Sequence, residues 1–154
     1  MVQIELEAPA REDVYELLGE HLKDMHAQSP AESVHALDTE SLSAPGITLW
    51  SVRDAGILLG CGALKELSPD AGEIKSMRTA TAVRGRGVGA RMLVHLMETA
   101  TRRGYVRLCL ETGTEDFFAP AHRLYKKHGF RDCPPFGDYR PDPHSLFMAL
   151  DLQV

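Results

Sequence analysis

Apolar and polar residues alternate over residues 2–6, which is the period of a β-strand with one buried face. After Pro9 the period becomes that of a helix whose apolar face is formed by Val14, Leu17, Leu18, Leu22 and Met25. Glu12 and Asp13 fall in the first turn of this helix, where the helix dipole favours acidic side chains. The chain is therefore predicted to begin with a strand and then a helix that starts at Pro9.

Residues 27–46 follow neither period and are rich in Ser, Pro, His and Thr, with one short helix predicted near residues 38–42. This segment is long for a connection inside a compact domain, and such segments often line binding sites. We therefore expect it to border a site.

The middle of the chain predicts an antiparallel sheet. Residues 47–53 and 57–65 have the pattern of two strands joined by a turn at 54–56. A second turn at 68–72 leads into a strand over residues 73–79.

The second half predicts strands that alternate with helices. A helix ends at Gly104, and its apolar face consists of Val88, Met92, Leu93, Leu96, Met97 and Ala100. A strand over 105–111, a helix over 120–129 and strands over 130–133 and 145–152 follow. Antiparallel strands followed by β-α-β units predict an α+β fold close to α/β. We expect a mixed, mostly antiparallel sheet of six or seven strands, with a central parallel pair and helices on both faces.

Composition narrows the class of protein. The 154 residues, 44% of them hydrophobic, suffice for one core, so residues 1–154 are expected to form a single domain. The net charge of −5 argues against nucleic-acid binding and would attract amines. Without a leader or a bilayer-length apolar run, a cytoplasmic protein that does not enter membranes is expected. Neither the three cysteines nor the seven histidines have metal-ligand spacing, so no metal is expected.

The hexapeptide at residues 84–89, Arg-Gly-Arg-Gly-Val-Gly, lies between a predicted strand and a predicted helix. Its three alternating glycines let backbone N–H groups approach a ligand, and the positive end of the helix points at the same place. Arg84 and Arg86 suit a phosphate or pyrophosphate. A flexible basic loop that merely precedes a helix is the alternative, because one glycine-rich hexapeptide is a weak signal.

Two sequence blocks carry a family resemblance. Arg84, Gly87 and Gly89 match the pattern Arg/Gln-x-x-Gly-x-Gly/Ala, and a second block consists of Ala121, Leu124, Tyr125, Gly129 and Phe130. With both blocks in this order, the chain resembles the GNAT superfamily of acyl-CoA-dependent N-acetyltransferases. One position departs from the family pattern, because Phe118 stands where many members carry asparagine.

The resemblance implies that acetyl-CoA lies where two central parallel strands, residues 73–79 and 105–111, splay apart. Backbone groups of Met77, Arg78 and Thr79 would hold the pantetheine arm and polarise the thioester. The second block would add contacts from Phe118, Ala121 and Tyr125. The pyrophosphate would rest on the backbone of Arg84, Gly85, Arg86, Gly87, Val88 and Gly89.

The resemblance also implies transfer of an acetyl group to a primary amine, which needs a base. Direct transfer is expected because nothing in the sequence marks Cys109 as an activated nucleophile, and the acidic balance favours a small cationic acceptor. Glu73 is the first candidate, because it lies eleven residues before Arg84, where some members place their catalytic glutamate. Glu111 is the second, and either could instead be a solvated carboxylate at a strand end. Tyr125 would protonate the leaving thiolate, with an ordinary core tyrosine as the alternative.

Acceptor-binding residues are expected in the irregular segments. His35, Glu111 and Tyr139 are the candidates, although His35 could be a surface histidine and Tyr139 part of a mobile loop. Dimerisation is common in the family, so a homodimer is a further possibility. The cosubstrate is expected to be acetyl-CoA.

Two other functions compete with this interpretation. Gly85, Gly87 and Ala90 also fit the Gly-x-Gly-x-x-Ala fingerprint of NAD-dependent oxidoreductases. However, a dinucleotide-binding turn places its first glycine directly after the first strand, and here several strands precede it. A non-catalytic acyl-CoA-binding sensor is the other alternative.

Overall fold

The structure is a computed structural model that describes residues 1–35, 37–38 and 40–152. Within them a seven-stranded sheet has the order β1-β2-β3-β4-β5-β7-β6. Its strands are β1 (Val2–Leu6), β2 (Ile47–Asp54), β3 (Ile57–Ser68), β4 (Ala71–Thr79), β5 (Arg107–Gly113), β6 (Arg131–Asp132) and β7 (Ser145–Asp151). The α-helices are α1 (Glu12–Gln28), α2 (Val88–Arg102) and α3 (Ala119–Lys127). The predicted α+β fold with a mixed sheet is confirmed.

Strands β4 and β5 form the parallel pair, and all other neighbours are antiparallel. The parallel pairing runs from Ala71 opposite Arg107 to Ile74 opposite Leu110 and then stops. Beyond Ile74, β4 contains a bulge against β3 in which Ser76 has a positive φ of 53°. A bulge bends its strand and increases the local twist, so β4 turns away from β5 and leaves a gap between them.

Helices cover the two faces of the sheet. On one face, α1 packs against Leu49, Cys61 and Ala63. On the other, α2 packs in a larger core that includes Trp50 and Leu64. Leu49 and Trp50 are consecutive residues of β2 and therefore point to opposite faces. Because both faces bury apolar side chains, the sheet needs a helical layer on each.

Several element ends differ from the predictions. Helix α1 begins at Glu12 and not at Pro9, because the Arg11 N–H closes a turn on the Ala8 carbonyl at 3.1 Å. Strand β5 begins at Arg107 rather than residue 105, because the Tyr105 N–H still bonds the Ala100 carbonyl of α2. Strand β6 has only two residues, since two prolines follow Cys133 and lack the N–H that a ladder requires.

The irregular segment between α1 and β2 contains short 3-10 helices at Ala31–Ser33 and Ser41–Ser43. The second of these corresponds to the helix predicted near residues 38–42, of which residue 39 lies outside the described residues. The Asp38 carboxylate accepts the Ser41 N–H at 2.7 Å, a side-chain cap that starts the turn. Further 3-10 turns at Thr81–Val83 and Asp116–Phe118 precede α2 and α3.

Candidate active site

A cavity of about 710 Å³ opens where β4 and β5 separate. Its walls come from α1, the segment after it, β4, the start of α2, β5 and α3. This volume falls in the range of cofactor and small-molecule sites. The cavity therefore marks the candidate active site.

The glycine-rich loop forms one end of this cavity, which Arg84, Gly85, Gly87, Val88 and Gly89 line. Gly85 and Gly87 have φ of 81° and 80°, a conformation that side-chain-bearing residues rarely adopt. A Cβ atom built on either would meet nothing within 4 Å, so the space above the loop is open. This is the geometry expected of a cradle that a ligand approaches closely.

The backbone amides of the loop are not equivalent. The Arg84 N–H bonds the Thr81 carbonyl at 3.4 Å, closing a 3-10 turn. The first bond of α2 runs from the Arg91 N–H to the Gly87 carbonyl at 3.1 Å, so the amides just before Arg91 have no acceptor within the helix. Arg86 is not among the lining residues. The candidate anion site thus centres on the start of α2 rather than on Arg84.

The splayed half of β4 forms the floor of the cavity, where Met77, Arg78 and Thr79 all line the space with Ser76. The Arg78 side chain is only 7% exposed, and its Nη1 forms an ion pair with Oδ2 of Asp24 on α1 at 2.6 Å. Met77, Arg78 and Thr79 therefore line the cavity, and their contact with a pantetheine arm stays a prediction.

Glu73 is 1% exposed and lies in the paired half of β4, outside the cavity lining. Its Oε2 accepts 2.6 Å and 3.2 Å bonds from the Tyr139 hydroxyl and Lys75 Nζ. Lys75 Nζ also donates to the Tyr139 hydroxyl at 2.8 Å and to the His35 carbonyl at 3.1 Å. Burial and the Glu73 carboxylate raise the pKa of Tyr139. Glu73, Lys75 and Tyr139 thus form a buried network, and of these three Lys75 alone lines the cavity.

Glu111 differs from Glu73 because it lines the cavity. It is the first β5 residue beyond the last β4 pair, Ile74 with Leu110, so it stands where the strands begin to diverge. Burial raises the pKa of Glu111 to about 7, although the Lys75 charge opposes this shift. A carboxylate that titrates near neutral pH suits proton transfer.

The second sequence block forms the opposite wall. Phe118, Ala121, Leu124 and Tyr125 line the cavity, and the Tyr125 ring lies 5.7 Å from that of Phe130. Burial raises the pKa of Tyr125 to about 12, so its hydroxyl keeps its proton at neutral pH. Tyr125 is therefore a core residue by packing that also reaches the cavity.

His35 lies in the irregular segment and lines the cavity, with its ring 5.0 Å from that of Tyr139 in an edge-to-face arrangement. Tyr139 itself is not a lining residue and lies behind Lys75. Of the predicted acceptor residues, the structure thus brings His35 and Glu111 into the cavity and places Tyr139 in the supporting layer.

The sequence analysis missed the contribution of α1, from which His21 and Met25 line the cavity, followed by Ser29 and Ser33. A signal was present, because His21 falls between Leu18 and Met25 on the apolar face of the helix. A polar residue on a buried face often marks a site.

The cysteines lie apart from this chemistry. Burial raises the pKa of Cys61 to about 12 and also raises that of Cys109, so both remain thiols. Neither lines the cavity. Over residues 1–35, 37–38 and 40–152, no group of three or more His, Cys, Asp or Glu side chains is arranged to hold a metal ion.

Comparison with known proteins assigns this arrangement to a family. Residues 11–130 match the family model described as the acetyltransferase (GNAT) family. The chain belongs to the GNAT family. This GNAT chain is 50% identical to the uncharacterized N-acetyltransferase YsnE of Bacillus subtilis over 139 residues, which cover 90% of this chain and 92% of that protein. It is 39% identical to the IAA acetyltransferase of Azospirillum brasilense over 155 residues, 98% of each chain.

Solved structures agree with this membership. A Klebsiella pneumoniae protein assigned as an acyl-CoA N-acyltransferase has a TM-score of 0.81 at 26% identity, over 99% of both chains. A Bacillus subtilis acetyltransferase crystallised with CoA has a TM-score of 0.73 over 99% of this chain and 100% of that chain, and its 17% identity supports the fold alone. The predicted resemblance to GNAT enzymes is confirmed, and the chain is an acyltransferase.

These findings argue against the two alternative functions, an NAD-dependent oxidoreductase and a non-catalytic acyl-CoA-binding sensor. Four strands, each antiparallel to the one before it, precede the glycine-rich loop, and the family match covers both sequence blocks, so nothing supports an NAD-dependent oxidoreductase. Membership of an enzyme family likewise gives the non-catalytic sensor no support. In the described part of the chain, no helix has the length and apolar character needed to cross a membrane.

Proposed function

We propose that this GNAT enzyme, acting as one N-acetyltransferase domain, transfers the acetyl group of acetyl-CoA directly to a primary amine of a small acceptor. The observation that carries the proposal is the position of Glu111, a carboxylate with a pKa of about 7, in a cavity that begins at the glycine-rich loop. The cavity thus joins an anion cradle to a group able to accept a proton at neutral pH.

The residues present fit acetyl-CoA. The open space above Gly85 and Gly87, together with the first amides of α2, suits a pyrophosphate. The backbone of Met77, Arg78 and Thr79 leaves β5 at the bulge and is available to the pantetheine arm. Membership of the GNAT family supports the choice of cosubstrate, and a Bacillus subtilis enzyme of this fold was crystallised with CoA.

We assign the base to Glu111 in preference to Glu73. Glu111 faces the cavity, whereas the Glu73 carboxylate is occupied by Tyr139 and Lys75. In the proposed step, Glu111 accepts a proton from the acceptor ammonium, and the neutral amine then attacks the thioester carbonyl. Glu73 would act indirectly, by holding Lys75 in place.

As the new C–N bond forms and the C–S bond breaks, negative charge passes through the carbonyl oxygen to the sulfur. Backbone N–H groups of the splayed β4 segment would stabilise the oxyanion, since fixed donors need no reorganisation during reaction. Tyr125, whose hydroxyl is protonated at neutral pH, would donate a proton or a hydrogen bond to the departing thiolate.

Direct transfer is favoured over an acetyl-enzyme intermediate. Cys109 lies on β5 but is buried, and burial raises the pKa of its thiol more than the nearby Arg107 lowers it, so the thiol keeps its proton at neutral pH. Intact-mass measurement after mixing with acetyl-CoA should therefore show no increase of about 42 Da, which is the mass added when an acetyl group replaces a hydrogen.

The test is calorimetric titration with acetyl-CoA and, separately, NADH, followed by thiol-release assays over amines and amino acids. Binding of acetyl-CoA but not NADH, with thiol release for one class of amine, is the expected result. A relative is named IAA acetyltransferase, so IAA belongs in the panel. Acetyl-CoA binding without release for any acceptor would contradict the transferase proposal.

A further inference from the structure

Three buried polar atoms, His21 Nδ1, Ser76 Oγ and Arg78 Nε, each lack a hydrogen-bond partner within residues 1–35, 37–38 and 40–152. All three residues line the same cavity. Two further atoms of this kind, on His95 and Ser145, belong to residues outside the lining. Because buried polar atoms in native proteins are nearly always paired, the cluster at the cavity calls for a ligand.

The chemistry of these atoms specifies what the ligand must present. An arginine Nε–H is always a donor, so Arg78 requires an acceptor atom. The Ser76 hydroxyl can donate as well, and a neutral imidazole can offer Nδ1–H in one tautomer. The guanidinium is already held in position through Nη1 by Asp24 at 2.6 Å. Unpaired donors on three residues that line one cavity suit an oxygen-bearing group.

The charges around these atoms are balanced in pairs. Burial and the charges of Arg78 and Lys75 lower the pKa of His21 to about 4, against the opposing charge of Asp24, so His21 is neutral at pH 7. Arg78 is paired with Asp24 at 2.6 Å and Lys75 with Glu73 at 3.2 Å. Burial disfavours the charged form of Glu111. A carboxylate would therefore meet unpaired donors and no unpaired negative charge among these groups.

We propose that His21, Ser76 and Arg78 form a subsite that binds a carboxylate of the acceptor. The acceptor would then be an amine that also carries an acid, such as an amino acid, rather than a purely cationic amine. This inference rests on the proposed acetyl transfer and deepens it. The overall charge of −5 favours cations at long range, but the groups inside the cavity decide which end of a zwitterion lies against β4.

The test compares matched acceptors in the thiol-release assay. Each amino acid is paired with its amide and with the amine that lacks the carboxyl group. We expect kcat/KM to be at least about tenfold higher for the acid, the size of one charge-assisted hydrogen bond. Equal rates for acids and their amides, in an enzyme that binds acetyl-CoA and turns over, would overturn the subsite and leave the transferase intact.

Two variants locate the effect. Arg78→Met keeps the backbone proposed for the pantetheine arm and should reduce the preference for acids at least about tenfold. Its control is Arg131→Met, because Arg131 also pairs with an aspartate, Asp151 at 3.0 Å, but both side chains are 74% exposed. Arg78→Met leaves the Asp24 carboxylate unpaired, so a milder second variant is needed. Ser76→Ala removes one hydroxyl only and should reduce the preference for acids several-fold. An unchanged preference in a folded Ser76→Ala or Arg78→Met enzyme would contradict the proposal.

A binding experiment tests the subsite even if no acceptor in the panel is acetylated. The CoA-bound protein is titrated with N-acetylated amino acids and with the corresponding amides. Tighter binding of at least one acid, lost in Arg78→Met but kept in Arg131→Met, would support the carboxylate subsite. If every acid binds no more tightly than its amide, the subsite is wrong whatever the outcome for acetyl transfer.

Discussion

The Tyr139 hydroxyl donates a 2.6 Å hydrogen bond to Oε2 of Glu73, a residue 66 positions earlier in the chain. The same oxygen accepts from Lys75 Nζ at 3.2 Å. Tyr139 belongs to the Pro-rich loop before β7, so this bond fixes that loop to β4 directly behind the cavity. The loop residue that was a candidate for acceptor binding is thus part of the support for the site.

Tyr139→Phe should lower the free energy of unfolding by about 1–2 kcal/mol, because the buried Glu73 carboxylate loses a donor. Acetyl-CoA affinity should be unchanged, since Tyr139 is not a cavity-lining residue. Urea unfolding measures the difference. Tyr15→Phe is the matched control, because Tyr15 is 58% exposed. Equal urea midpoints for the two variants would show that the hydrogen bond from Tyr139 to Glu73 contributes nothing to stability.

Glu111→Gln should abolish the acidic limb of the pH–rate profile. In the native enzyme we expect kcat to rise with pH through about 7, as the Glu111 carboxyl loses its proton and becomes a base. Glu73→Gln should reduce activity because Lys75 is no longer held in place, but its pH–rate profile should keep the acidic limb near pH 7. A profile measured at saturating acetyl-CoA and acceptor would identify the base. Loss of the limb in Glu73→Gln alone would assign the base to Glu73.

The same glutamate makes stability depend on pH. Its pKa is raised from 4.5 to about 7 on folding, so between these values the unfolded chain loses its proton first and stability falls as pH rises. Below pH 4.5 Glu111 is protonated in both the folded and the unfolded protein, and above about pH 7 the folded protein bears the full cost of burying the charged carboxylate. We therefore expect Glu111→Gln to raise the free energy of unfolding, relative to the native protein, by on the order of 2 kcal/mol more at pH 8 than at pH 5. This figure includes a discount for the partial exposure of the side chain.

This stability prediction is checked by urea unfolding at several pH values. The exposed Glu16 provides a control, because Glu16→Gln changes the same chemical group outside the cavity lining. If the native protein and Glu111→Gln have parallel stability curves from pH 5 to 8, Glu111 does not titrate near neutrality and its role as base also fails.

Gly87→Val should abolish acetyl-CoA binding. Position 87 has φ of 80° and an empty space at its Cβ, so a branched side chain is strained there and would fill the region proposed for the pyrophosphate. Gly46→Val is the matched control, because Gly46 has φ of 84° and equally open surroundings but does not line the cavity. Calorimetry on both variants separates backbone strain from lost ligand space, and normal affinity in Gly87→Val would contradict the cradle.

Tyr125→Phe should lower kcat about tenfold or more with little change in acetyl-CoA affinity, because only the hydroxyl proposed to assist the leaving thiolate is removed. The ring packing on Phe130 is retained. Steady-state kinetics with acyl donors of different thiol pKa provides a sharper measurement. A smaller loss for a better leaving group is expected, and an equal loss for all donors would indicate a purely structural tyrosine.

Periodicity and spacing predicted the elements well because they depend on local geometry. The alternation at residues 47–53 and the glycine turn at 54–56 specify a hairpin wherever it lies in the fold. Element ends were less accurate, as at Pro9, because a single backbone hydrogen bond in the preceding turn decides where a helix begins.

The sequence by itself determined the family, the order of strands and helices, and the loop that precedes α2, since these follow from residue types at fixed spacing. Only the tertiary structure decided which acidic group faces the cavity and which is buried behind it. Glu73 and Glu111 both lie on central strands, but pairing of β4 with β5 ends at Ile74 and Leu110. That boundary encloses Glu73 with Tyr139 and exposes Glu111 to the gap, because burial and hydrogen bonding depend on neighbours that are distant in the chain.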